Sequence, residues 1–194
     1  FAQAGINRLS LGIQSFNNEE LQYLGRQHSA TEAIDAISLA ASLFPKYSFD
    51  LIYALPGQTQ ETWKKALDKA LELSSNHLSL YQLTIEKGTE FYRRARQGTL
   101  PLMSQEDANI LYDFTNSYLA YNGFGQYEVS NYARPGHECK HNLAYWRYNE
   151  YLGIGPGAHS RIMVGGRVVA LMAIHRPETW LDQALDPSHA QAIH

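Results

Sequence analysis

The run His141-Asn142-Leu143-Ala144-Tyr145-Trp146 follows Cys139 and precedes Tyr151-Leu152-Gly153-Ile154-Gly155-Pro156-Gly157-Ala158-His159-Ser160, which puts an imidazole, large flat aromatics and a glycine-rich turn within twenty residues. A neutral imidazole nitrogen is a common axial ligand of haem iron, and tyrosine or tryptophan rings can line the face of a planar tetrapyrrole. The stretch therefore reads as a seat for a flat, metal-bearing ligand. The residue types alone leave a second and commoner use open: His141 and Asn142 tie down a loop by hydrogen bonds while Tyr145 and Trp146 cover the core.

A second group is scattered along the chain. In a βα barrel the reacting groups stand at the carboxyl ends of strands, so the polar residues on or just after each strand are the ones to weigh: Gln14, Asp50, Gln82 and Thr84, with Arg26 on the loop after the first helix. Asp50 lies inside the apolar run Phe49-Asp50-Leu51-Ile52-Tyr53, where a bare carboxylate is very costly. It is either an acceptor for a ligand hydroxyl or amine, or half of a structural pair with Arg8 or Arg26. Gly153-Ile154-Gly155-Pro156-Gly157 lacks the Lys-Ser/Thr ending of a phosphate-cradling loop and reads as a tight turn. The histidines other than His141 show no i,i+4 pairing among themselves, and Cys139 with His141 has no second cysteine pair, so a structural zinc site is not supported. Ser10, Ser15 and Ser160 lack the elbow of a hydrolase nucleophile.

The elements that must position these groups alternate. Arg8 to Ile13 reads as a strand, followed by a short helix over about 19–24 and a helix capped by Ser29 or Thr31, with Ile34, Ile37, Ala41 and Phe44 as its stripe. Phe49 to Tyr53 is a buried parallel strand ending in Leu55-Pro56-Gly57. Thr59 caps a helix with Trp63, Ala66, Leu67, Ala70 and Leu71 on one side; Leu78 to Leu83 is a strand; a short basic helix follows Lys87-Gly88. Ser104 then starts a long helix carrying Ile110, Leu111, Phe114, Tyr118 and Tyr121, and Tyr127 to Ser130 reads as one more strand. The fold class is α/β, with right-handed βαβ units building a parallel sheet or barrel. Beyond Arg134-Pro135-Gly136 the pattern turns to loops and a hairpin around Gly165-Gly166, so a boundary falls there, between 1–133 and 134–194.

With 194 residues, 44% of them hydrophobic and 18% charged, the chain holds one substantial core. A net charge of -3 gives no basic field for a phosphate backbone, so nucleic acid is not an expected partner. No apolar run reaches the length of a membrane span. One cysteine cannot form an internal disulfide, which fits a reducing, cytoplasmic setting. The opening Phe1-Ala2-Gln3-Ala4-Gly5, without methionine, resembles the last turn of a helix and suggests a truncated chain.

Gly5-Ile6-Asn7-Arg8-Leu9-Ser10-Leu11-Gly12-Ile13-Gln14-Ser15-Phe16, then Leu24-Gly25-Arg26, then Asp50-Leu51-Ile52-Tyr53-Ala54-Leu55-Pro56-Gly57-Gln58-Thr59 resemble, in order and spacing, the oxygen-independent coproporphyrinogen III oxidase family of radical S-adenosylmethionine (SAM) proteins. Ser79-Leu80-Tyr81-Gln82-Leu83-Thr84-Ile85-Glu86, Arg134-Pro135-Gly136-His137-Glu138-Cys139-Lys140-His141-Asn142 and the Tyr145-Trp146 end are more similar to its haem-chaperone branch. The resemblance implies the second part of a partial (βα)6 TIM-like barrel over 1–133, with a truncated carboxyl-side α+β extension over 134–194. It implies that Gln14, Arg26, Asp50, Thr84 and His159 contact S-adenosylmethionine, Asp50 at the ribose hydroxyls and His159 near the adenine. It also makes His141 a haem-iron ligand with Tyr145 and Trp146 beside the porphyrin, which overturns the packing use. Ala54 stands where glycine is usual.

The same resemblance implies a [4Fe-4S] cluster on a C-x-x-x-C-x-x-C loop. Such clusters need several thiolates and this chain has only Cys139, so the cluster ligands are absent from it and are expected upstream. The implied function of the intact protein is a haem chaperone that binds the cluster, S-adenosylmethionine and haem, and delivers haem to acceptor proteins. The alternative is oxidative decarboxylation of coproporphyrinogen III in porphyrin biosynthesis. A half-barrel exposes strand edges and core, so instability or oligomerisation, with a homodimer as one form, is the expected consequence.

Overall fold

A computed structural model describes residues 1–183 and 192–193; His189, His194 and part of the expected extension lie outside the described residues. The chain divides into two compact units, Phe1–Glu138 and Cys139–His194. After a 3-10 turn at Ala2–Ala4, the first unit runs β1 (Arg8–Gln14), α1 (Asn18–Tyr23), α2 (Ala30–Leu43), β2 (Lys46–Tyr53), α3 (Gln60–Leu73), β3 (His77–Gln82), α4 (Glu90–Arg96), α5 (Gln105–Tyr121), β4 (Gly125–Gln126) and β5 (Asn131–Ala133). The second runs α6 (Lys140–Trp146), β6 (His159–Val164), β7 (Arg167–Met172), α7 (Pro177–Gln183) and β8 (Ala192–Ile193).

Helix starts follow side-chain chemistry. Ser29 and Glu32 form a reciprocal capping box on α2, as do Thr59 and Thr62 on α3, and the Ser104 hydroxyl accepts from the Asp107 amide at 3.0 Å at the start of α5. Each satisfies a backbone donor that the first helical turn leaves open. Two of the expected stripes are shifted in phase. On α2 the buried line is Ala33, Ile37, Ala40 and then Phe44, with Ala41 exposed; on α5 it is Ala108, Leu111, Thr115 and Leu119, while Ile110 and Tyr121 face solvent. Thr115 holds a core position because its hydroxyl is used twice: it accepts from Trp63 Nε1 at 2.7 Å and donates to the Leu111 carbonyl at 2.6 Å.

The sheet order is β1-β2-β3-β5-β4. β1, β2 and β3 are parallel and joined through helices; β5 is antiparallel to both β3 and β4. The strand expected over Tyr127–Ser130 is instead a bend between β4 and β5. Glu128 causes it, since its carboxylate accepts from the Ser130 amide at 3.0 Å and from the Asn131 side chain, which diverts the backbone from a ladder. Likewise, the loop reading after Arg134 is corrected by the seven-residue α6.

Alternation of side chains along each strand gives the sheet two unlike faces. Phe49, Leu51 and Tyr53 of β2 join Trp63 and Leu67 of α3, with Leu111 and Leu119 of α5, in the apolar core; Tyr53 stacks on Trp63 at 5.2 Å. The other face carries Ser10, Ser48, Asp50, His77 and Ser79. At its amino-terminal end His77, only 3% exposed, shares a hydrogen bond with Ser48 Oγ through Nδ1 (2.7 Å) and with the Tyr127 hydroxyl through Nε2 (2.7 Å). Burial, with the Arg8 charge adding to it, pushes the His77 pKa down to about 3.

An unfolded chain takes up this proton near pH 6.5, whereas the folded one resists until about pH 3, so this histidine makes stability fall with acid throughout that window. Urea unfolding of wild type and His77→Gln between pH 7 and pH 4 is expected to show a wild-type stability that drops by on the order of a kcal/mol more per pH unit than that of the variant. Parallel pH dependences would refute the buried neutral imidazole.

Candidate functional site

β1 ends in, and β2 is directly followed by, a residue with left-handed backbone, Gln14 at φ 69° and Ala54 at φ 61°. The Ser15 amide donates to the Ile13 carbonyl at 2.9 Å, so Gln14 occupies the centre of a γ-turn of the rare, strained hand. Its side chain folds back on its own strand: a Cβ on Gly12 would lie 2.7 Å from Gln14 Nε2. Gly12 is thus the hollow in which the Gln14 amide rests, on the same face as Ser10 and Asp50.

Asp50 is half-buried on β2, in register with Ser79 of β3, and accepts from the Ser10 hydroxyl at 3.2 Å. Burial raises its pKa, and the Ser79 and Ser10 hydroxyls pull it back. Of the two uses left open, the ion pair is not formed: Asp50 pairs with neither Arg8 nor Arg26 among the described residues, and the Ser10 hydroxyl donates to it instead. A carboxylate satisfied by hydroxyls is suited to accept from the hydroxyls of a sugar.

Three residues at these strand ends had no role assigned from sequence. Gln58 Oε1 accepts from the Ala54 amide at 2.8 Å, Gln58 Nε2 donates to Glu20 Oε1 at 3.1 Å, and the buried Ser15 hydroxyl donates to Glu20 Oε2. This chain of bonds ties the loop after β1 to the loop after β2. The signal was present in Leu55-Pro56-Gly57-Gln58, where an amide side chain follows a glycine of φ 73° at a strand's carboxyl end. His28 adds a strap, with Nε2 3.0 Å from the Ile13 carbonyl.

Thr84 is exposed just past β3 and bonds to the Gln82 carbonyl at 3.2 Å. With Ala54, Gln82, Leu102, Met103 and Gln105 it lines a cavity of about 330 Å³ at the carboxyl ends of β2 and β3. Arg26 is exposed on the loop after α1 and forms no ion pair among the described residues. The first unit therefore brings Gln14 and Asp50 to one face and Thr84 to the adjoining cavity, and leaves Arg26 on a solvated turn.

In the second unit His141 and Tyr145, four residues apart on α6, meet edge to face at 4.7 Å, and Tyr145 meets Tyr151 at 4.5 Å. Tyr145 is 39% exposed and Trp146 59% exposed, and His141 is exposed as well, so these rings do not cover the core. Burial and Tyr151 raise the Tyr145 pKa, with the Arg161 charge opposing them. Arg161 exchanges both backbone hydrogen bonds with Tyr151 (2.9 and 2.8 Å). His159 opens β6, exposed, one residue before the buried Ser160.

The glycine-rich segment braces this arrangement. The Gly153 amide donates to Ser160 Oγ at 2.9 Å, and a Cβ on Gly153 would stand 2.1 Å from the His159 carbonyl oxygen, a backbone atom that cannot step aside. Gly155 has open space around it. Gly153→Ala is expected to destabilise the chain by about 1–3 kcal/mol in urea unfolding through overpacking. Gly12→Ala meets only the flexible end of Gln14 and is expected to stay within about 0.5 kcal/mol of wild type while displacing the Gln14 amide, read from its side-chain NMR resonance. Equal costs for the two would contradict the contacts described.

Residues 1–70 match the Radical SAM superfamily model. The chain is 45% identical over 188 residues, 94% of itself and 42% of the relative, to the mitochondrial radical S-adenosyl methionine domain-containing protein 1 of Mus musculus. It is 43% identical over 175 residues, 90% of itself and 46% of the relative, to the heme chaperone HemW of Lactococcus lactis. Its fold superposes on the Escherichia coli coproporphyrinogen III oxidase HemN, a radical SAM enzyme, with a TM-score of 0.72 at 23% identity, over 97% of this chain and 45% of that one. The chain spans less than half the length of these relatives. By the match of residues 1–70 and the sequence likeness to these relatives, the chain belongs to the radical S-adenosylmethionine superfamily, alongside relatives named heme chaperones.

Proposed function

We propose that this chain is part of a haem chaperone that holds haem as cargo through His141, with Tyr145 and Trp146 against the porphyrin, and passes it to acceptor proteins. The observation that carries the reading is the outward presentation of an imidazole and neighbouring aromatic rings on α6. Exposed aromatics beside a potential iron ligand offer a flat ligand a stacking surface that core rings do not. Support also comes from relatives at 40% identity and above that are named heme chaperones. The likeness to the oxidase, at 23% identity, speaks for the fold alone, so the oxidase alternative gains no separate support.

S-adenosylmethionine belongs to the same proposal. The hollow over Gly12 that receives Gln14, and the hydroxyl-satisfied Asp50 beside it, suit a polar nucleoside. Gln14 would hold it by its amide and Asp50 by accepting from ribose hydroxyls, with Thr84 and Arg26 as further contacts. Bound at a [4Fe-4S] cluster, S-adenosylmethionine supplies radical chemistry. Cys139 alone cannot ligate such a cluster, so its thiolates are not among these 194 residues. The later half of a radical-SAM barrel over 1–133, the extension over 134–194, the cytoplasm as compartment and self-association as a homodimer complete the reading. Among the described residues, no helix is long and apolar enough to cross a membrane.

Titrating the chain with haem tests it. Wild type is expected to give a shifted Soret band that His141→Ala abolishes, and Trp146→Ala is expected to weaken binding several-fold, as loss of one stacking ring does. An unchanged Soret band in the His141 variant would remove the iron-ligand assignment.

A further inference from the structure

The ring contacts of α6 continue into β6. Beyond His141, Tyr145 and Tyr151, the guanidinium carbon of Arg161 lies 5.6 Å from the Tyr151 ring centre and 3.9 Å from that of Tyr148. Tyr148 faces it from a left-handed backbone, φ 60°. Arg161 Nη1 is buried and has no hydrogen-bond partner, the one such side-chain nitrogen or oxygen among the described residues. Arg161 is also absent from every ion pair formed among them.

Aromatic faces attract the cation but accept none of the in-plane N–H bonds that a guanidinium directs outward. A buried charged donor without an acceptor is unfavourable and persists where something else offsets it. The fork of a guanidinium matches a carboxylate, through two parallel N–H bonds. The two backbone hydrogen bonds with Tyr151 fix Arg161 on the strand, while the rings of Tyr148 and Tyr151 limit the guanidinium's movement. The Tyr151 ring that the guanidinium meets also meets Tyr145 at 4.5 Å, and Tyr145 is one helical turn from His141.

We propose that Arg161 is an anion-binding residue of the His141 site, which takes a carboxylate of the same planar ligand. This rests on the reading of that site as a porphyrin seat. Iron at the imidazole fixes the ligand's centre, and the arginine fixes its rotation about that bond by holding one acidic edge. Haem carries its negative charge on peripheral carboxylates, so the pair gives two points of recognition, which a neutral flat molecule would not satisfy.

The test compares haem and metal-free protoporphyrin with their dimethyl esters, in wild type, Arg161→Met, Arg161→Lys and His141→Ala. Wild type is expected to bind each free acid about tenfold more tightly than its ester, the size of one charge-assisted hydrogen bond. Arg161→Met is expected to erase that preference while leaving ester affinity and the His141-dependent Soret band unchanged, and Arg161→Lys to restore part of it. A full acid preference in Arg161→Met, or equal weakening of acid and ester, would overturn the proposal, the second by showing a merely structural support. The iron-ligand reading fails separately, through an unchanged Soret band in His141→Ala, while acid preference with metal-free porphyrin still decides the arginine. Absence of any porphyrin binding by wild type would overturn both.

Discussion

Hydrogen bonds supplied by short hydroxyl side chains allow one face of the parallel sheet to be polar. Asp50 and His77 stand on strands whose other face forms the apolar core, and neither could remain there without partners. Ser10 and Ser48 supply them by direct hydrogen bonds. Ser79 is engaged with Asn131 at 2.8 Å, which extends the pattern across to the antiparallel strand β5. Serine is small enough to leave the face open, and it presents a polar atom close to the backbone.

Strain gathers at the carboxyl ends of the same strands. Gln14 and Ala54 both adopt a left-handed backbone that costs a residue with a side chain about 1 kcal/mol or more. The bonds from Ser15 through Glu20 and Gln58 to the Ala54 amide hold the two turns together, so the strain at one is constrained by the other. Glycine in place of Ala54 would relieve the local cost at β2. The alanine instead keeps the turn less mobile, next to the cavity that Ala54 lines with Thr84.

Much of this was legible in the sequence because it was written in local chemistry. The first three strands, the caps at Ser29, Thr59 and Ser104, and the Gly165-Gly166 hairpin (φ 58° and 79°) each follow from neighbours in the chain. The phases of α2 and α5 did not, because Ala33 and Ala40 are too small to stand out while Ile110 and Tyr121 look like core residues and face solvent. α6 escaped notice for want of a capping side chain at Cys139. Asp50 announced itself as a buried carboxylate, but its partners are hydroxyls on other strands, and the Gln58 and Glu20 link spans 38 residues. Such long-range bonds leave no local pattern to read.

The burial of Trp63, 1% exposed against Tyr53 and bonded to Thr115, has an optical consequence. Indole emission moves to shorter wavelength in apolar surroundings and to longer wavelength in water, and Trp146 on α6 is largely wet. Of the three tryptophans, Trp63 thus reports on the integrity of the sheet and Trp146 on whatever approaches α6, while Trp180, half-buried on α7, adds a third emitter. A chromophore settling on α6 would dim the Trp146 emission.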